Sequence, residues 1–291
     1  MIIENMKLRL TLSLLIVFTC CGCSQNNKSN QAGKQTIYTT IQPLKQIVES
    51  IVGDDFDIEV LVPAGASPET FEPTPKQFIA LNESKLVFSV GLIDFERNLI
   101  SKINGQNKLV DLSHGIDLIE GSCSHNHHGH ECHSGIDPHV WSSPKCLKTM
   151  AHNAFTAIND AYPDSLKYRT NYERLNARID SLDTAVSRLC ENTHNRYFIV
   201  YHPAMTYFAR DYGIEQVSIE HEGKEPSAKR LADIIEQARR DGVKRIFYQV
   251  QFPRSSVEII AKDMGAEAVE IDPLSENVIE NIGNIAKLIT E

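Results

Sequence analysis

Four side chains with metal-donor chemistry fall where an α/β chain gathers its ligands. In open parallel sheets, ligands meet the protein at the carboxyl ends of the strands. His202 directly follows the apolar run 196–201 (RYFIVY), and Asp272 closes the run 267–271 (EAVEI). Glu69 lies in the stretch 62–75 (VPAGASPETFEPTP), whose four prolines and one glycine make a stiff loop after the run 57–62. His139 sits between Pro138 and Trp141, the only tryptophan, beyond the run 108–112. Each has a duller reading. An aspartate at a strand end commonly caps a turn, and a histidine beside a proline commonly packs half-buried. Shared topology gives them weight, because two imidazoles and two carboxylates at one edge suit zinc or manganese.

Just before His139 the chain reads SCSHNHHGHECHSGIDPHVW over residues 122–141. Five histidines there, His125, His127, His128, His130 and His133, form a dense imidazole run whose composition alone favours zinc, copper, nickel or iron. The segment 122–134 is therefore expected to be an accessory metal-collecting loop, with His139 a separate, better-anchored ligand. Pairing of Cys123 with Cys132 would close this loop, with metal ligation by the two thiols as the rival. Cys146 and Cys190 read as cysteines buried in helices.

The elements that must position these groups alternate. Apolar, β-branched runs at 36–41, 57–62, 85–90 and 108–112 are separated by helical patterns near 43–52, 75–83 and 94–103. The scheme repeats with runs at 196–201, 214–219, 245–250 and 267–271. This predicts an α/β fold of two lobes, each with a four-stranded, mainly parallel sheet, and a metal cleft between the lobes. A stretch from about Pro163 to about Glu191 carries a helical apolar stripe with no internal glycine or proline, far longer than the mean helix of about 11 to 12 residues. It is expected to be a rigid connector. A coiled coil is the alternative, but the stripe is short for a heptad series.

At the N-terminus, Lys7 and Arg9 precede an apolar run, residues 10–19, too short to span a bilayer, as in an export signal. Cysteines follow at once, resembling a lipoprotein processing site. Cys23 is the expected lipid attachment, since Gly22 precedes it, with Cys20 and Cys21 competing. The predicted segments are therefore a signal at 1–23, a polar tether at 24–34, an N-terminal lobe at 35–160, a connecting helix at 161–193 and a C-terminal lobe at 194–291. A net charge of −9 argues against nucleic acid, which requires a basic face. The chain has no Gly-x-Ser-x-Gly elbow, no His-Glu-x-x-His helix and no phosphate loop, so enzyme chemistry lacks a motif.

Several motifs resemble those of the metal-binding solute-binding lipoproteins of zinc and manganese ABC importers. They are SPETFEPTP (67–75), GLIDFE (91–96), DPHVW (137–141) with Ser143-Pro144, YHPAMTYF (201–208) and EPSAK (225–229), and the resemblance runs from about residue 35 onward. It implies two α/β lobes joined by one long helix, with His139 and His202 as ligands and Asp272 in the acidic position. It also implies a monomeric, exported receptor anchored to the membrane through lipid, non-enzymatic, which passes its ion to an ABC permease and ATPase. One departure concerns the first ligand, because Glu69 stands where the family carries histidine: either Glu69 ligates as a carboxylate, or the site has lost its first ligand and closes with water or a loop histidine. Two histidines with carboxylates also make a manganese set, whereas the imidazole loop favours zinc as the transported ion. Outside the resemblance stand an exported metal-dependent hydrolase with Glu69 as general base and a metal-buffering adhesin.

Overall fold

Runs of branched and aromatic residues pair into two separate four-stranded sheets. The computed structural model describes residues 34–100, 102–103, 108–120, 135–220 and 226–291. The first sheet contains β1 (Gln35–Thr39), β2 (Phe56–Val60), β3 (Val87–Ser89) and β4 (Leu109–Asp111) in the order β2-β1-β3-β4. The second contains β5 (Tyr197–Val200), β6 (Glu215–Ser218), β7 (Arg245–Gln249) and β8 (Glu267–Ile271) in the order β6-β5-β7-β8. Every pairing is parallel. Parallel strands need crossovers. Helices α1 (Gln42–Val52), α2 (Pro75–Glu83) and α3 (Asp94–Ile100) serve the first sheet. Helix α6 (Thr206–Tyr212), α7 (Ala228–Asp241) and α8 (Arg254–Met264) serve the second.

Between the sheets run α4 (Pro144–Ala161) and the 27-residue α5 (Leu166–Asn192), and the chain closes with α9 (Val278–Thr290). Helix α5 joins the lobes, and its buried face, Tyr168, Leu175, Ile179, Leu182 and Val186, packs against α4, α1 and α9. It is a central packing element more than a bare strut. A β-carbon added to Gly283 on α9 would lie 3.2 Å from Leu182 Cδ1, so glycine there permits the close approach of α9 to α5. Consequently Ile279, Ile282, Ile285 and Ile289 of α9 belong to the larger core together with residues of the first sheet. A smaller core, including Ile199, Ile246, Val257 and Met264, fills the side of the second sheet facing α7 and α8.

Polar contacts also tie the lobes together. Gln46 of α1 donates to Glu280 at 2.9 Å and accepts from the Ile279 N–H at 3.0 Å, and Lys45 pairs with Glu276 at 3.0 Å. Among the described residues, no helix is long and apolar enough to cross a membrane. Cys146 is a buried free thiol on α4 and Cys190 a half-buried one on α5. The predicted lipid site at Cys23, the histidine run, Cys123 and Cys132 lie outside the described residues.

Candidate metal centre

Glu69, His139 and His202 converge on one point. One donor atom from each lies within 4.8 Å of those of the others. The loop that carries Glu69 is closed at both ends. Gln77 donates to the Leu61 carbonyl at 3.1 Å and forms a capping box with Thr74 at the start of α2. A 3-10 turn, Pro68–Thr70, presents the carboxylate, whose side chain is 44% exposed, against 11% and 12% for the two histidines.

Each histidine is fixed by a carboxylate on its Nδ1. Asp137 Oδ1 lies 2.8 Å from His139 Nδ1 and also accepts from the His139 backbone N–H at 2.8 Å. Burial would push the Asp137 carboxyl up, but the charge of His139 and hydrogen bonds from His139 and Thr206 outweigh it and hold it below the ordinary value. Glu220 Oε2 lies 2.9 Å from His202 Nδ1. An ionised carboxylate only accepts, so both Nδ1 atoms carry hydrogen and both rings turn Nε2 toward the common point. His202 Nε2 stands 3.3 Å from His139 Nε2 and 3.2 Å from Glu69 Oε1.

The two spacings at His202 can be compared with the edges of a small coordination polyhedron. Two donors each about 2.0 to 2.1 Å from an ion at the tetrahedral angle stand ~3.4 Å apart, whereas right-angled donors stand ~2.9 Å apart. Without an ion, one proton can occupy the same place. Burial lowers the affinity of His202 for that proton, but hydrogen bonds to Glu220 and Glu69 override it and raise the ring to about 9. Three carboxylates, those of Glu69, Asp137 and Glu220, lie against the two rings and favour positive charge there.

The surroundings are aromatic. Trp141 meets His139 edge-on at 5.2 Å and donates its Nε1–H to the Pro273 carbonyl at 3.0 Å, while Phe252 stacks on His202 at 5.4 Å. Backbone position is fixed as well. The amide of Gln249, a residue 2% exposed at the end of β7, donates to the His202 carbonyl at 2.7 Å and accepts from the His202 N–H at 3.3 Å. Buried Tyr207 donates to the Asp137 carbonyl at 2.7 Å and accepts from the Ile119 N–H at 3.2 Å, bracing the support of His139.

Asp272 departs from the expectation, since it does not join the converging donors. Its Oδ1 accepts from the Leu274 N–H at 3.1 Å, and burial pushes its carboxyl up. His202 follows β5, whereas Asp272 follows β8, two strands away in the sheet. Asp272 instead shapes the turn whose Pro273 carbonyl receives Trp141. The acidic residue at His202 Nδ1 is Glu220, which follows β6, the neighbour of β5. Glu220, Asp137 and Gln249 were not read from sequence as functional. The strand-end rule applied to Ile214–Ile219 would have found Glu220, and Asp137 lay unused inside the Asp-Pro-His motif.

Comparisons with known proteins agree with this architecture. The family model described as zinc-uptake complex component A, periplasmic, matches residues 37–289. The high-affinity zinc uptake system protein ZnuA of Bacillus subtilis is 30% identical over 271 residues, covering 89% of this chain and 85% of that protein. The zinc-binding protein AdcA of Streptococcus pyogenes is 28% identical over 287 residues, 92% of this chain, but the chain spans only 56% of its length. A crystal structure of ZnuA superposes with a TM-score of 0.79 at 32% identity, covering 89% of this chain and 98% of that one. The periplasmic zinc-binding protein TroA of Treponema pallidum has a TM-score of 0.75 at 19% identity, a likeness of fold.

Proposed function

This chain belongs to the family of zinc-uptake complex component A, and from that premise we propose that it is an extracytoplasmic receptor that captures zinc and delivers it to an ABC permease and its ATPase. Zinc is the cargo, and the protein performs no catalysis. Its proposed protein ligands are Glu69 Oε1, His139 Nε2 and His202 Nε2. The observation that carries this reading is the donor triangle with edges of 3.2 and 3.3 Å at His202, with each imidazole backed by a carboxylate. Backing of that kind orients a ring and raises its basicity as a metal ligand.

Burial favours the same reading. A bare divalent ion is costly to desolvate. Glu69, Asp137 and Glu220 supply compensating charge around the point where it would sit. The Glu69 carboxylate also admits manganese, a harder ion than zinc. Two imidazoles and near-tetrahedral edges favour zinc.

An export signal with lipid attachment at Cys23 would hold the receptor at the outer face of the membrane. The histidine run 122–134 would serve as an accessory collector. Titration of the metal-free full chain with zinc and with manganese tests the function. One-to-one tight zinc binding, exceeding that of manganese, is expected; absence of tight binding for both ions would refute the receptor.

A further inference from the structure

Helix α6 follows β5 of the second sheet, yet three of its side chains hold the segment that follows β4 of the first. It begins at Thr206, shortly after His202. Tyr207 is fully buried, and its hydroxyl joins two stretches of that segment, accepting from the Ile119 N–H at 3.2 Å and donating to the Asp137 carbonyl at 2.7 Å. Arg210 covers the Tyr207 ring at 5.0 Å and donates to the Asp117 carbonyl. Asp211 accepts from the Ser143 hydroxyl.

The consequence falls on Asp137. Only two backbone dihedrals per residue are soft, and both of those at Asp137 are held from outside. Its N–H donates to the Ile119 carbonyl at 2.9 Å, which fixes the peptide plane before it, and its carbonyl accepts from Tyr207, which fixes the plane after it. The Asp137 carboxylate is thereby kept in the direction that meets His139 Nδ1 at 2.8 Å. A phenylalanine at 207 would fill the same core space but could neither donate to Asp137 nor accept from Ile119.

We propose that Tyr207 is a positioning residue for zinc, whose hydroxyl, carried by the helix that follows His202, sets the attitude of His139 through Asp137. The inference rests on the reading of His139 and His202 as zinc ligands. It adds a short path between them, from His202 along the chain to Tyr207 and then through Asp137 to His139, so that the second sheet's own helix aims the first sheet's ligand. Moving α6 away from Asp137 would release His139 from its brace, which ties zinc affinity to the closed arrangement of the two lobes.

The test measures zinc affinity of the full chain by chelator competition in wild type, Tyr207→Phe, Asp137→Asn, Glu220→Gln and the two double variants that join Tyr207→Phe to each carboxylate change. Tyr207→Phe alone should weaken zinc roughly 3- to 10-fold, the range for one hydrogen bond, while circular dichroism shows the metal-free protein folded. Joined to Asp137→Asn, the loss should shrink to less than about 2-fold, because the group through which Tyr207 acts is gone. Joined to Glu220→Gln, which alters the backing of the other ring, the loss should persist in full. A residue that merely fills the core would weaken zinc equally on both backgrounds, and that result, or an unchanged affinity in Tyr207→Phe, would overturn the proposal. Arg210→Met uncovers the same ring and frees Asp117, and it stands in should the phenylalanine variant fail to fold, with the same split between backgrounds required of it. If the wild type itself fails to bind zinc one-to-one, the receptor reading falls, an outcome distinguishable from failure of the Tyr207 assignment alone.

Discussion

His139 Nε2 and His202 Nε2 stand 3.3 Å apart, although the two rings follow strands of different sheets. Neither ring could hold that attitude alone. Asp137 and Glu220 grip the far nitrogen of each, so the pair is aimed before any ion arrives. Direct ligands and backing groups should then separate in magnitude. His139→Ala and His202→Ala should each weaken zinc by more than ~100-fold, while Asp137→Asn and Glu220→Gln should cost roughly 10- to 100-fold. Competition against a zinc chelator measures both. Equal losses in the two classes would contradict the assignment.

Glu69 is the exposed member of the triangle, and its oxygen lies 3.2 Å from His202 Nε2. Glu69→Ala should reduce zinc affinity at least ~10-fold if the carboxylate ligates. Glu69→His should tighten zinc and weaken manganese, because imidazole is the softer donor. Parallel titrations with both ions decide the matter. An unchanged zinc affinity in Glu69→Ala would remove Glu69 from the ligand set.

Much of this was legible in the chain, for identifiable reasons. Runs such as Tyr197–Val200 announce buried strands because both faces of a parallel strand are covered and branched residues fill them. Most strand ends were displaced by one or two residues, where pairing frays, while β8 was read at its exact bounds. The length of α5 was legible from the absence of breakers, but its burial was not, since its partner α9 lies about a hundred residues away in sequence. The same limit explains the site. A strand end can be read locally, which brings out Glu69, His139 and His202. Strand order cannot, so Asp272 was read as a donor and Glu220 was passed over, although β6 lies directly beside β5.

The base of the segment bearing the histidine run is fixed independently of what it carries. Glu120 bridges Ile136, and the Asp137 N–H donates to the Ile119 carbonyl at 2.9 Å. Both ends are therefore held together before the chain reaches His139. Removing residues 122–134 and joining the ends with a short glycine linker should lower the total zinc bound while keeping one tight site. Equilibrium dialysis gives both quantities, and loss of the tight site would show that the segment supplies a ligand.

Glu96 gives a pH dependence unrelated to the ligands. Its carboxylate is fully buried beneath the turn that follows β3, accepting from the Val90 N–H at 3.2 Å, the Ile93 N–H at 3.3 Å and the Thr40 hydroxyl. Burial raises it from 4.5 to about 7, and those hydrogen bonds offset the rise only in part. Between these two values the folded state holds a proton that the unfolded chain has lost, so stability must fall as pH rises. The contribution is complete below about pH 4.5 and gone above about 7, with a slope of at most ~1.4 kcal/mol per pH unit for one group. Glu96→Gln cannot titrate, and its amide N–H₂ meets a backbone donor, so it should be less stable than wild type at pH 5. The gap should narrow by pH 8, because only the wild type has lost stability in between. Urea unfolding of the metal-free protein at the two pH values measures the gap, and a difference independent of pH would show that Glu96 titrates at its ordinary value.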